Sequence, residues 1–233
     1  MKDIPVNFGK LYIVATPIGN LADISNRAID VLKNVNYILA EDTRVTAKLL
    51  NRFDIDQRLV SFHQHTPEQK YLSVLKDLID GKNIAFVTDA GTPGVSDPGN
   101  ELISYLIEKE SLIQITAIPG ASSLTAALSI CGFDTTHVVF VGFMPKKHQK
   151  QIYDTVKLSG YALCFYETSG RIIKTLDRMM AEFGEERNVF VGRELTKMYE
   201  ETYRGSLMEV KLQIEKSVQK GEIVVVLDKG RKM

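Results

Sequence analysis

The segment VTDAGTPGVSDPG, residues 87–99, packs three glycines and two prolines between an apolar run and a helix start near Pro98. Proline limits the freedom of the chain and glycine lets backbone approach a ligand closely, so this composition suits a binding loop better than a plain connection. Two further loops leave apolar runs in the same half. ATPIGNLADIS spans residues 15–25, and PGASS spans residues 119–123. The second places small residues where free N–H groups at a helix start can meet a carboxylate or a polar ligand edge, although the same letters also write an ordinary turn and N-cap. Several common chemistries lack their signatures: there is no G-x-G-x-x-G, no Walker phosphate loop, no H-E-x-x-H and no G-x-S-x-G.

The elements that must position these loops alternate. Residues 11–15, 37–40, 59–62, 84–88 and 113–118 read as strands, several of them apolar throughout. Ser25 is an N-cap for a helix carrying Ile29, Leu32 and Val35, and Pro67 opens a helix with Leu72, Leu75 and Leu78 that Gly81 ends. Such βαβα order predicts a mainly parallel sheet covered on both faces, with ligands at the carboxyl ends of its strands. Past Pro119 and Gly120 the pattern changes. Strands at 138–143, 162–166, 189–193, 201–205 and 223–227 come with fewer helices, which predicts a second, mixed-sheet α/β domain. The expected domains are residues 1–118 and 119–233.

Composition bounds the rest. A chain of 233 residues, 44% hydrophobic and 25% charged, can bury a sizeable core. Cys131 and Cys164 match no metal or redox spacing and sit in apolar runs, as reduced buried thiols do, so no metal is expected. The N-terminus lacks a signal-peptide pattern and no apolar run is long enough to cross a bilayer, which predicts a soluble cytoplasmic protein. With 29 Lys plus Arg against 29 Asp plus Glu, any contact with nucleic acid must come from a local patch.

Eight segments taken in order resemble the tetrapyrrole methylase family over nearly the whole chain: LYIVATPIGNLADISNRA (11–28), AEDTR (40–44), SFHQH (61–65), VTDAGTPGVSDPG (87–99), IPGASS (118–123), FVGFMPKK (140–147), FYETSGR (165–171) and GRELTKMYEE (192–201). Within the family they look like the branch that modifies a cytidine 2′-oxygen in 16S ribosomal RNA. The resemblance implies two α/β domains of the class III methyltransferase type, with S-adenosyl-L-methionine in a cleft between them. It implies that Pro17 and Ile18 line one side of the cofactor, that Asp89, Ala90, Gly91, Thr92, Pro93 and Val95 line another, that Ser122 and Ser123 make polar contacts, and that Tyr166 closes the pocket. That cofactor carries no phosphate, which agrees with the absent phosphate loop.

Methyl transfer to a ribose hydroxyl asks the protein to orient the hydroxyl and assist its proton loss, orientation alone supplying about 7–11 kcal/mol. From the family motifs, Asp42, His63, His65 and Glu194 are candidate bases or acceptors, with Lys197 and Arg44 to stabilise the alkoxide or hold a phosphate. Asp42 with Arg44 also reads as a capped helix start bearing a surface ion pair. His63 and His65, one residue apart on an expected strand, should face opposite sides. The Arg193, Glu194, Lys197 and Glu200 group also reads as a solvated charge run. Lys146, Lys147 and Lys150, with Arg171, are the candidate RNA contacts, suited to phosphates rather than bases.

Two features depart from the family pattern. Residues 166–171 read Tyr-Glu-Thr-Ser-Gly-Arg where relatives commonly carry proline and histidine, and the chain stops soon after VVVLDKG, without the small C-terminal extension of many relatives. The family is typically dimeric, so a homodimer bound to the small ribosomal subunit is expected, with no membrane partner. The competing readings are a precorrin-type tetrapyrrole methyltransferase and a non-catalytic ribosome-assembly factor that retains the cofactor pocket.

Overall fold

The computed structural model describes residues 8–217 and 220–230, and the chain divides into two compact units, Met1–Ser122 and Ser123–Met233. The division falls four residues beyond the boundary expected from the sequence, at the start of a helix rather than at the end of a strand.

In the first unit the strands β1 (Lys10–Val14), β2 (Tyr37–Ala40), β3 (Leu59–Ser61), β4 (Ile84–Val87) and β5 (Gln114–Ile118) form one sheet in the order β3-β2-β4-β1-β5. Every pairing is parallel. Side chains alternate across a strand, so each central strand feeds two cores. Ile38, Ala40, Ala85 and Val87 pack with Ala28 and Leu32 of α1 (Asn26–Asn34) and Leu49 and Leu50 of α2 (Thr43–Arg52). Tyr37, Leu39, Ile84 and Phe86 pack on the other face, with Val74 and Leu78 of α3 (Glu68–Ile79) and Leu102 and Leu106 of α4 (Asn100–Lys109). Burial on both faces is why β2 and β4 are apolar at every position.

The helix starts are written locally. Ser25 Oγ accepts the Ala28 N–H at 3.1 Å, and Asp42 caps α2. Gly99 caps α4 with φ at 135°, where an added Cβ would stand 2.7 Å from Phe86 Cε1, so glycine is required by both backbone and packing.

The second unit opens with α5 (Ser123–Ile130) and has a mixed sheet of β6 (Val138–Phe143), β7 (Ala162–Thr168), β8 (Asn188–Arg193), β9 (Glu201–Ser206) and β10 (Glu222–Leu227), ordered β6-β7-β10-β8-β9. Only β6 with β7 is parallel among these pairings. Helices α6 (Gln149–Ser159), α7 (Ile172–Phe183) and α8 (Leu207–Glu215) share one core with Leu163, Phe165 and Val225. Ala127 of α5 packs with Cys131, Cys164, Phe190, Val224 and Val226 in another. Both thiols are buried and free, and burial pushes the Cys164 thiol up to about 12, which suits an inert core role. Among the described residues no helix is long and apolar enough to cross a membrane.

Candidate active site

Parallel strands deliver their loops to one edge of the first sheet, and three of these loops are joined there. Thr16 and Gly91 form an antiparallel bridge with both hydrogen bonds made, Thr16 N–H to Gly91 O at 2.8 Å and Gly91 N–H to Thr16 O at 3.0 Å. Thr16 Oγ1 donates to Thr88 O at 3.1 Å, and the Ala15 N–H donates to Ile118 O at 3.1 Å. The loop after β5 comes close enough that a Cβ on Gly120 would stand 3.0 Å from the Ala15 methyl carbon. Thr92 Oγ1 donates to Ala121 O at 3.5 Å. Gly91 holds φ at 81°, a region that L side chains resist.

Pro17, Ile18, Gly91 and Pro93 are buried within this cluster, Ala90, Thr92 and Ser122 are half-buried, and Asp89 and Val95 are exposed, while Ser123, the first residue of the second unit, is itself half-buried. No residue between 15 and 18 or between 88 and 95 is basic. The surface on offer is therefore neutral backbone with small side chains and one carboxylate. This fits a ligand with hydroxyl, amine and aromatic groups and no phosphate.

Beside the loops, the ends of β2 and β4 bring three carboxylates together. The Asp42 N–H donates to Asp89 Oδ1 at 3.1 Å and the Asp89 N–H to Glu41 Oε2 at 3.4 Å. Their charges are unequal in availability. Asp42 accepts the Arg44 N–H, Nε and Nη2 at 2.8, 3.0 and 2.6 Å, and these hydrogen bonds hold its carboxyl down at about 2. Asp42 with Arg44 is thus the capped helix start that the sequence also allowed, with a poor base at its centre. Glu41 and Asp89 behave oppositely: partial burial raises the pKa of each, the Asp89 charge further raises that of Glu41, and the Asp42 charge raises both. Glu41, adjacent to the sequence candidate Asp42, was not singled out because its role depends on β4 lying beside β2.

His63 and His65 correct an expectation. They lie past the end of β3, in a turn rather than on a strand, because Thr66 Oγ1 accepts the His63 N–H at 2.8 Å and folds the chain back. The His65 N–H donates to His63 Nδ1 at 3.2 Å and the rings are 6.5 Å apart, so the opposite-face argument does not apply.

In the second unit, Glu194 and Lys197 meet. Lys197 Nζ donates to Glu194 Oε1 at 3.0 Å and to Glu222 Oε2 at 2.9 Å, and Glu194 Oε1 also accepts the Glu222 N–H at 2.8 Å. Glu194 is held below its ordinary range by the Glu222 N–H and by Lys197, against the effect of its burial, and Lys197 is raised by the two carboxylates. Arg193 binds Glu201 and the Lys220 carbonyl. Glu194 and Thr196 both carry positive φ, 52° and 66°, so this mesh fixes a contorted turn. Tyr166, on β7, is half-buried, its ring edge-on to Phe140 and Phe143.

Among the candidate RNA contacts, Lys146 and Lys147 are exposed on the turn between β6 and α6, and Lys150 pairs with Asp154 at 3.7 Å. Arg171 is spent differently: its Nη2 donates to Met144 O at 2.6 Å and lies 3.3 Å from the buried Glu167 carboxylate. The 166–171 turn is closed by the Arg171 N–H on Thr168 O at 3.0 Å.

A parallel sheet edge bearing a phosphate-free, backbone-lined cradle beside basic carboxylates defines a class, and the model of the tetrapyrrole (corrin/porphyrin) methylases matches residues 10–211. The chain belongs to that family: it is a methyltransferase, with S-adenosyl-L-methionine as its methyl donor. It is 45% identical over 222 residues to the ribosomal RNA small subunit methyltransferase I of Halalkalibacterium halodurans, covering 94% of this chain and 76% of that protein. The protein of the same name from Thermotoga maritima is 40% identical over 220 residues, covering 94% of this chain and 98% of the relative. Solved structures share the fold at low identity. A cobalt precorrin-4 methyltransferase aligns with TM-score 0.70 at 16% identity over 94% of each chain, and a diphthine synthase with 0.70 at 15%, over 96% of this chain and 92% of the other.

Proposed function

We propose that this protein methylates the 2′-oxygen of a cytidine in small-subunit 16S ribosomal RNA, in the cytoplasm, as a homodimer acting on an assembled ribosomal particle. The observation that carries the site assignment is the Thr16–Gly91 bridge, which joins the β1 and β4 loops into one neutral cradle beside Asp89. The substrate assignment rests on the names of relatives at 40–45% identity.

In this reading Pro17, Ile18, Ala90, Gly91, Thr92, Pro93 and Val95 hold the cofactor, with Ser122 and Ser123 as polar contacts at the start of α5. The cofactor, when bound, supplies an electrophilic methyl on a sulfonium that needs no assistance in leaving. The protein orients the sugar hydroxyl and takes its proton. Asp89 and Glu41 suit that task because their raised pKa values make them stronger bases than an ordinary carboxylate. Asp42 positions Arg44, whose exposed guanidinium is available to the adjacent phosphate. His63 and His65 face the same task from the β3 loop. Lys197 and Glu194 hold the 194–200 turn, and Lys146, Lys147 and Lys150 meet RNA backbone, with Arg171 fixing the base of their turn.

The test is transfer of labelled methyl from S-adenosyl-L-methionine to isolated small subunits, followed by nuclease digestion and mass spectrometry. Label on a cytidine ribose is expected. Label on a base, or none on either subunits or free 16S RNA, contradicts the reading.

A further inference from the structure

A hollow lies wholly within the first unit, beyond the carboxyl ends of β3 and β4. It has a volume of about 310 Å³ and is walled by the turn after β3 and by the segment that leads into α4. Its apolar lining includes two aromatic rings set at an angle to each other. Phe62 is buried and its ring centroid lies 5.0 Å from that of Tyr71, at 59°. The rim is polar, formed by His63, Gln64, Asp97 and Glu101. Among the described residues no lysine or arginine lines it, which disfavours a phosphate or any other anion.

The walls are held in place before any ligand arrives. The Thr66 hydroxyl fixes the His63 end of one wall. On the other, Gly94 N–H donates to Pro98 O at 3.1 Å, Asn100 Nδ2 donates to Gly94 O at 2.9 Å, and Asp97 Oδ2 accepts from Thr88 Oγ1 at 3.2 Å. Tyr71 reaches across to Glu101 Oε2 at 3.3 Å. The opening turn of α4 also borders the hollow, and its cap Gly99 has no side chain to occupy the first N–H groups. Aromatic side chains, two carboxylate acceptors and an amide that both donates and accepts match a planar heterocycle that presents both an amine and ring acceptors. A nucleobase with an exocyclic amine has that pattern, whereas uracil offers a single ring N–H and no amine.

Its position relates it to the reaction. His63 lies close enough to Glu41 to act on its charge, and Asp97 is tied through Thr88 to the loop that carries Asp89. We infer that this hollow is the seat of the acceptor nucleotide's base, selecting an amine-bearing base over uracil and leaving the ribose at the Glu41–Asp89 edge. The inference deepens the proposed function and rests on it for the identity of the polymer.

Two measurements test it on the full chain, the first with S-adenosylhomocysteine saturating the cofactor site and the second with S-adenosyl-L-methionine as methyl donor. Saturation-transfer NMR with cytidine and uridine should show transfer to cytidine base protons at least threefold stronger than to uridine, and Gln64→Ala and Glu101→Gln should each erase the contrast. Steady-state methylation of small subunits by the same exposed-rim variants should show KM for the subunit raised about tenfold, with KM for the cofactor unchanged. Equal transfer from both nucleosides in the wild type, or variants that alter neither contrast nor subunit KM, overturns the inference. If wild-type protein methylates a cytidine in subunits while these tests fail, the seat alone is wrong. If cytidine is selected but subunits stay unmethylated, the proposed substrate is wrong and the seat stands.

Discussion

The carboxylates at the ends of β2 and β4 and those at the end of β8 come from similar motifs, charged residues directly after an apolar strand, yet the fold uses them in opposite ways. In the first unit Glu41 and Asp89 accept backbone N–H groups, have no lysine bonded to them among the described residues, and are pushed towards higher pKa. In the second, Glu194 is locked to Lys197 and to the Glu222 backbone and is pulled down. One arrangement keeps a base available. The other consumes its charges in holding a strained turn, where salt bridges and hydrogen bonds offset the cost of two positive φ angles.

The largest way to break this contrast is Asp89→Asn, which should lower kcat about 100-fold or more, the usual scale for a lost general base. The pH profile should follow in sign. Because Asp89 and Glu41 are raised, protonation on acidification begins above the ordinary carboxylate range, so methyl transfer should fall there. Asp42, held at about 2, stays ionised throughout that limb, and because its charge helps to raise both Asp89 and Glu41, Asp42→Asn should move the midpoint to lower pH without abolishing the limb. If Glu194→Gln shifted the limb instead, the contrast would be wrong.

A smaller effect is expected at Gly91. Gly91→Ala forces a side chain into a left-handed backbone at a cost of about 1–2 kcal/mol, so calorimetry should read cofactor affinity reduced about tenfold with little change in thermal stability beyond that strain. Unchanged affinity would detach the Thr16–Gly91 bridge from the cofactor. Smallest of all is Glu194→Gln. It should cost about 1 kcal/mol of stability, discounted for its partial exposure, and move kcat by less than about threefold. A drop comparable to that of Asp89→Asn would return Glu194 to the chemistry.

Much of the fold was legible because its signals are local. The YILA run of β2 and IAFV of β4 are apolar at every position, and Ser25 and Pro67 mark helix starts, so these strands and helices fall within a residue or two of their expected bounds. Of the candidate site, the sequence marked the glycine- and proline-rich loops, whose main chain is joined at one edge of the first sheet. Side-chain roles depend on neighbours far away in sequence. Glu41 matters because β4 lies beside β2, His63 left its expected strand because Thr66 captured its N–H, and Arg171 turned inward because Glu167 is buried beneath it. None of these partners is fixed by spacing along the chain.

The most direct test is a crystal structure with S-adenosyl-L-methionine or an analogue bound. The cofactor should lie against Thr16, Ile18, Gly91 and Thr92, with its transferable methyl nearer to Asp89 and Glu41 than to any other carboxylate. A cofactor seated elsewhere, with those four residues untouched, would contradict the account.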